Sequence, residues 1–217
     1  MVILHEPKLI FLKAGKVGGS SLEIALSFFA GPEDVITPID EDWFRKKTAG
    51  FRSAQNFREL GAYNHMTPSE VRERFQHFSE YETVAVIRCP WDTAVSTYFW
   101  QKKLGLTDAS FGDFVRYEPQ AILMNDSIYQ LDGEYSLSHY VRYERYTADL
   151  ISLEEAHPKL KGLADLMKKI NAKGDVRPRS TKNTSVVYSD FPDAIGRIAD
   201  LRRGFIDRFG YAPPDCS

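Results

Sequence analysis

The segment Gly15-Lys16-Val17-Gly18-Gly19-Ser20-Ser21 has the residue types that hold an anion. Glycines let successive backbone N–H groups turn toward one point, and a helix N-terminus adds partial positive charge there. Lys16 supplies a cation, and Ser20 and Ser21 supply hydroxyl donors. The apolar run Lys8–Lys13 before the loop reads as a buried strand. Residues 21–29 after it repeat apolar side chains at helical spacing until Gly31-Pro32. Strand, glycine loop and helix form a first βα unit suited to a phosphate. The loop of ATP- and GTP-binding proteins needs a lysine directly before its Ser or Thr. Ser20 stands in that place here, and Lys16 comes earlier. The plainer alternative is a tight strand-to-helix turn whose glycines serve packing alone.

A second cation ends the run Thr83-Val84-Ala85-Val86-Ile87-Arg88, the clearest strand in the chain. Ligands of open α/β sheets bind at such strand ends. A metal-dependent nucleotide hydrolase often has an aspartate there, holding magnesium. Arginine suits a phosphate instead, which it grips with parallel N–H bonds. Ser96 follows on the next helix. Taken alone, Arg88 reads better as a strand-end ion pair, and Ser96 carries no signal.

The remaining elements follow from caps and periodicity. Thr67-Pro68-Ser69-Glu70 is a capping box with proline at the first helical position, opening a helix to about Phe78. Pro90 opens another through about Lys103. Residues 138–143 alternate as a strand, 159–170 read as a helix, and a final helix runs from Asp190 to Gly210. Val35-Ile36 is a candidate short strand in the otherwise irregular stretch 31–64, and residues 174–186 read as a basic loop. The pattern predicts an α/β fold of P-loop type, three layers α/β/α around a mainly parallel sheet. It also predicts one domain over residues 1–217, with 31–64 and 174–186 as lid or irregular segments.

Bulk properties narrow the classes. The 217 residues are 43% hydrophobic and 27% charged, enough for a sizeable core and against disorder. A net charge of −2 gives no bulk attraction for nucleic acid or a membrane surface, so any anion site is local. The two cysteines, Cys89 and Cys216, suit a reducing compartment. No run approaches the roughly 20 apolar residues that span a bilayer, and no signal peptide is visible at Met1–Pro7. The expectation is a cytoplasmic protein with no membrane span. Oligomeric state is unreadable.

In order along the chain, these segments resemble the sulfotransferases that use 3′-phosphoadenosine-5′-phosphosulfate (PAPS), especially the branch of carbohydrate sulfotransferases and small bacterial members. The family's P-K-T-A-G-T-S loop is matched by residues 15–21. Its V-R-D-P motif, followed by A-x-S-x-Y, is matched by Val86-Ile87-Arg88-Cys89-Pro90 and Ala94-Val95-Ser96-Thr97-Tyr98. Its later R-Y-E and F-G-Y are matched by Arg142-Tyr143-Glu144 and Phe209-Gly210-Tyr211. Gly15 replaces the family's proline, Gly18-Gly19 its Ala-Gly, and Cys89 its aspartate.

The resemblance implies sulfuryl transfer from PAPS to a hydroxyl acceptor (sugar, lipid, small metabolite or peptide tyrosine), in line and without a metal, leaving 3′-phosphoadenosine-5′-phosphate. It implies that Lys16 neutralises the leaving oxygen, with Val17, Gly18, Gly19, Ser20 and Ser21 around the 5′-phosphosulfate. Arg88 and Ser96 would hold the 3′-phosphate. Arg179 and Lys182, in the late basic loop, are weaker cofactor candidates, with a solvated loop as the alternative. Relatives often carry a histidine in the region of Tyr63-Asn64-His65. His65 is therefore the candidate base, since imidazole accepts protons near neutral pH; Glu144 and acids within 31–64 stay open. The rivals are a P-loop kinase and a non-catalytic nucleotide-binding protein of the same fold.

Overall fold

The computed structural model describes residues 1–40, 46, 49–170, 181 and 183–215. Its strands are β1 (Val2–Leu4), β2 (Leu9–Leu12), β3 (Val35–Ile36), β4 (Glu82–Ile87) and β5 (His139–Arg142). They form one sheet in the order β3-β1-β2-β4-β5. β2, β4 and β5 run parallel, with Leu12 opposite Ala85 and Val84 opposite His139, while β1 is antiparallel to both of its neighbours. Four of the five strands therefore point one way, the mainly parallel sheet that the pattern predicts. Consecutive strand residues face opposite sides of a sheet. Leu9–Leu12 are all buried, as are Thr83–Ile87, so both faces are covered. The result is an α/β architecture around a mainly parallel sheet.

The sequence reading missed β1. Three residues are too few to show a period, and their strand is imposed by pairing with β2 across a turn at His5–Lys8, where Lys8 adopts φ +50. β3 forms as expected at the other side of β1, and Gln55 bridges to Ile36.

The helices are α1 (Gly19–Ser27), α2 (Pro68–Arg74), α3 (Pro90–Lys103), α4 (Phe111–Tyr117), α5 (Pro119–Leu123), α6 (Asp126–Tyr129), α7 (Tyr146–Ala156), α8 (Leu163–Met167), α9 (Thr184–Asp190), α10 (Asp193–Leu201) and α11 (Arg203–Phe209). The capping box of α2 is formed in both directions. The helix stops at Arg74 rather than near Phe78, because Phe75 is extended and a 3₁₀ turn follows at Phe78–Glu80. The helix expected over 159–170 is two pieces, a 3₁₀ turn at Pro158–Leu160 and α8, split where Gly162 takes φ +97. The expected final helix is likewise broken at Pro192 and Arg202 before Gly210 closes it in the left-handed conformation. α9 begins inside the stretch expected as loop, capped by Asn183, whose side chain accepts from Ser185 N.

The chain divides into two compact units. The first, Met1–Ile87 with Asp126–Lys173, holds the sheet, α1, α2 and α6–α8. The second, Arg88–Asn125 with Gly174–Ser217, is helical. Its core gathers Trp91, Val95, Tyr98, Phe111, Phe114, Tyr188 and Ile198. Each such side chain contributes about 1.5–3 kcal/mol on burial. The polar atoms of two of the aromatics find backbone partners, Trp91 Nε1–H donating to Ile195 O at 3.1 Å and Tyr188 O–H to Trp91 O at 2.9 Å. Among the described residues no helix is long and apolar enough to cross a membrane.

Candidate anion-binding site

In the first unit, β2 delivers the chain into the glycine loop. Lys16 takes φ +62 and Gly18 φ +85, and α1 starts at Gly19. A left-handed lysine is uncommon and costs energy that surrounding structure must offset. Ser21 N–H and Leu22 N–H both turn back to Gly18 O, at 3.2 and 3.4 Å. The N–H groups of Val17, Gly18, Gly19 and Ser20 have no hydrogen-bond acceptor among the described residues. No acidic residue occupies the first turn of α1. Four successive donors at a helix start, where the macrodipole places about half a positive charge, make a cradle for an anion.

Gly18 is confined from above. A Cβ on it would lie 3.1 and 3.2 Å from Tyr143 ring carbons and 3.5 Å from Tyr146. These tyrosines follow β5 and meet edge to face, with ring centroids 6.0 Å apart. The loop of the first βα unit and the Arg142-Tyr143-Glu144 segment therefore come together. Burial pushes the Tyr146 hydroxyl pKa far up, so it stays neutral. Sequence reasoning missed Tyr146; its spacing of three from Tyr143 was the available signal.

Below the loop lies a buried ionic group. Glu23, on α1 and fully buried, sits 3.0 Å from Lys13 Nζ and 3.1 Å from the Met1 amino group, and accepts from Thr37 Oγ1 at 3.0 Å. Lys13 also carries His65: its carbonyl lies 2.8 Å from His65 Nδ1. A carbonyl only accepts, so Nδ1 holds the proton and Nε2 of the neutral ring keeps its lone pair. His65 has φ +65, a second left-handed backbone among the candidate residues. The residue is exposed overall, yet the ring is crowded on its Nδ1 side. Desolvation there holds its pKa below the ordinary 6.5; the bond to the Lys13 carbonyl opposes this, and the Lys13 charge adds to it. At neutral pH the imidazole is a neutral base.

In the second unit, Arg88, Asp92 and Ser96 are spaced by four and share one stripe of the chain entering α3. Arg88 has a carboxylate partner of its own. Nε donates to Asp92 Oδ2 at 2.7 Å and Nη2 pairs with the same oxygen, while Thr184 Oγ1 donates to Asp92 Oδ1 at 2.7 Å. This is the ion pair that the plainer reading of Arg88 anticipates. It also orients the guanidinium through one edge of its fork. Ser96 is half-buried on α3. Cys89 stands at the N-cap of α3. Arg179, Lys182 and Cys216 lie outside the described residues.

Neither protein-family models nor curated proteins give a match to this sequence. Among solved structures, a sulfotransferase from Alicyclobacillus acidocaldarius is similar over 92% of this chain and 97% of its own, at 15% identity and a TM-score of 0.40. A likeness of that degree carries no argument about activity.

Proposed function

We propose that the protein is a sulfotransferase that moves a sulfuryl group from PAPS to a hydroxyl acceptor. The observation that carries this reading is the row of four N–H groups, Val17 to Ser20, without an acceptor among the described residues, beside Lys16 at the start of α1. The cradle suits a phosphate-bearing ligand, and the loop lacks the lysine placement of an ATP or GTP site. The ordered resemblance of residues 8–211 to the sulfotransferase motifs selects PAPS among phosphate ligands.

The resemblance assigns Val17, Gly18, Gly19, Ser20 and Ser21 to the 5′-phosphosulfate and Arg88 and Ser96 to the 3′-phosphate. The bound nucleotide supplies the sulfuryl group, whose S–O bond to the 5′-phosphate breaks as an S–O bond to the acceptor oxygen forms. Lys16 and the cradle N–H groups stabilise charge as it builds on the leaving oxygen, the most effective place for fixed donors. His65 Nε2 takes the acceptor's hydroxyl proton, its tautomer held by the Lys13 carbonyl. Arg88, pre-oriented by Asp92, distinguishes a nucleotide with a 3′-phosphate from one without.

Calorimetry with 3′-phosphoadenosine-5′-phosphate in the absence of magnesium tests the reading, followed by a labelled-sulfate transfer screen over sugar, lipid, small-metabolite and peptide-tyrosine hydroxyls. Tight metal-independent binding with transfer supports it. Selective binding of magnesium-ATP would identify a phosphotransferase instead, and nucleotide binding without transfer to any acceptor would leave a non-catalytic binder.

A further inference from the structure

Three chemistry-bearing residues far apart in sequence meet in the first unit, at the end of the sheet opposite the glycine loop. Glu82 opens β4, His139 opens β5, and His157 caps the C-terminus of α7. In the parallel ladder His139 stands opposite Val84, and Glu82 shares the Val84 face two residues earlier. That diagonal brings His139 Nε2 to 2.7 Å from Glu82 Oε2. His157 Nε2 reaches the same oxygen at 2.8 Å. The two imidazoles stand at 73°, centroids 5.6 Å apart.

His157 is the telling member. It is only 8% exposed. Its Nδ1 lies 3.2 Å from Pro7 O, so Nδ1 donates there and Nε2 is the ring atom left to face Glu82. That buried Nε2 points at a carboxylate oxygen, yet it makes no hydrogen bond of acceptable geometry among the described residues. An imidazole nitrogen and a carboxylate oxygen this close, one of them buried, call for a positive charge between them, a proton or a metal ion. The fixing of Nδ1 by a backbone carbonyl is also the outer arrangement that metal-ligating histidines show.

We propose that Glu82, His139 and His157 bind a divalent transition-metal ion, with Zn²⁺ the best match. Two imidazole nitrogens and one carboxylate oxygen are a zinc donor set, and all three donor atoms lie within 4.8 Å of one another. Tetrahedral zinc with bonds of about 2.0–2.1 Å separates its ligand atoms by about 3.3 Å. The two contacts to Glu82 must therefore open by about half an ångström, within reach of a carboxylate that is 53% exposed. Solvent completes the fourth position from that exposed side. The ion joins the starts of β4 and β5 to the end of α7, so its effect is to hold the parallel strands in place. It is separate from the anion-binding loop and independent of the transfer chemistry.

The test uses the full chain, stripped with chelator and titrated with zinc alone at neutral pH. Expected are one zinc per chain at micromolar or tighter affinity, a higher melting temperature with zinc, and tetrahedral visible absorption when cobalt(II) replaces it. Glu82→Gln and His139→Asn, both at solvent-reachable positions, should each weaken binding by about tenfold or more at unchanged far-UV circular dichroism. His77→Asn, at an exposed histidine outside the cluster, should leave it unchanged. If His157→Gln fails to fold, the first two variants still decide the matter. No stoichiometric zinc at micromolar concentration, or affinity indifferent to Glu82→Gln and His139→Asn, overturns the proposal. Loss of transfer activity plays no part in either outcome.

Discussion

Replacing Gly18 by alanine probes the cradle directly. Gly18 sits at φ +85, where an L side chain costs about 1–2 kcal/mol. The added methyl would also lie 3.1 Å from Tyr143 Cε2 and 3.2 Å from Cδ2. Tyr143 is 41% exposed and can give way, so the overpacking cost falls near the lower end of its range, about 1 kcal/mol. Reduced freedom of the unfolded chain returns about 0.5–1 kcal/mol. The balance is a loss of about 2 kcal/mol, read as a lower urea midpoint at constant m-value. The two contributions separate in a double-mutant cycle: in a Tyr143→Ala background the steric part vanishes and the backbone part stays, so Gly18→Ala should cost about 1 kcal/mol less. Binding of 3′-phosphoadenosine-5′-phosphate should weaken in the single variant and only partly recover in the double one. Equal costs in both backgrounds would show that Tyr143 does not cover the loop. A cost under about 0.5 kcal/mol, ordinary for surface substitutions, would refute the left-handed geometry itself.

Lys16→Ala should lower turnover by about 10²–10³-fold with a smaller change in nucleotide affinity, as for loss of a group acting on the leaving oxygen; a change confined to KM would place Lys16 in ground-state binding only. His65→Asn keeps an amide donor for the Lys13 carbonyl and tolerates φ +65, so stability should hold while turnover falls by about 10²–10⁴-fold. Because the folded pKa of His65 lies below 6.5, wild-type activity should be flat at neutral pH and decline only as acid protonates the ring beneath that value; an acid limb that survives in His65→Asn points to another base. Arg88→Ala should reduce affinity for 3′-phosphoadenosine-5′-phosphate by about tenfold or more, as for a charged hydrogen bond, and leave adenosine 5′-monophosphate nearly unaffected; equal losses for both would assign Arg88 to its pair with Asp92 alone. Lys13→Met leaves Glu23 buried against one fewer cation and should cost about 3–5 kcal/mol, much of it regained in Lys13→Met/Glu23→Gln; unfolding by urea distinguishes the two.

The parts legible in sequence are those set by local chemistry. The β2–loop–α1 unit, the Thr67 capping box, β4 and α3 each carry their own signal, an apolar run, a cap or a proline, within a few residues. β1 escaped because its three residues become a strand only through pairing with β2. The breaks at Gly162 and Arg202 escaped because apolar periodicity continues across a point where the backbone does not. In the candidate site, the loop was legible and its surroundings were not. Asp92 could have been paired with Arg88 from their spacing of four. Tyr143 lying on Gly18, the Lys13 carbonyl holding His65, and the convergence of Glu82 with two histidines depend on which strands are neighbours. No local pattern contains that information.

Lys13 shows why the loop and His65 belong to one arrangement. Its carbonyl fixes the tautomer of His65, its ammonium pairs with Glu23 on α1, and its Cγ fills the space where a side chain on Gly19 would clash at 3.1 Å. Lys16 follows three residues later. A buried ion pair is a poor device for raising stability, since apolar side chains of the same shape often do better. It is a good device for allowing one arrangement only, because displacement of either charge strands the other away from water. The loop and His65 both carry left-handed backbones that cost energy to hold, and both are joined to this one residue. The ionic group under the loop is thus better understood as the means of keeping a strained pair of elements in register with each other than as a source of folding energy.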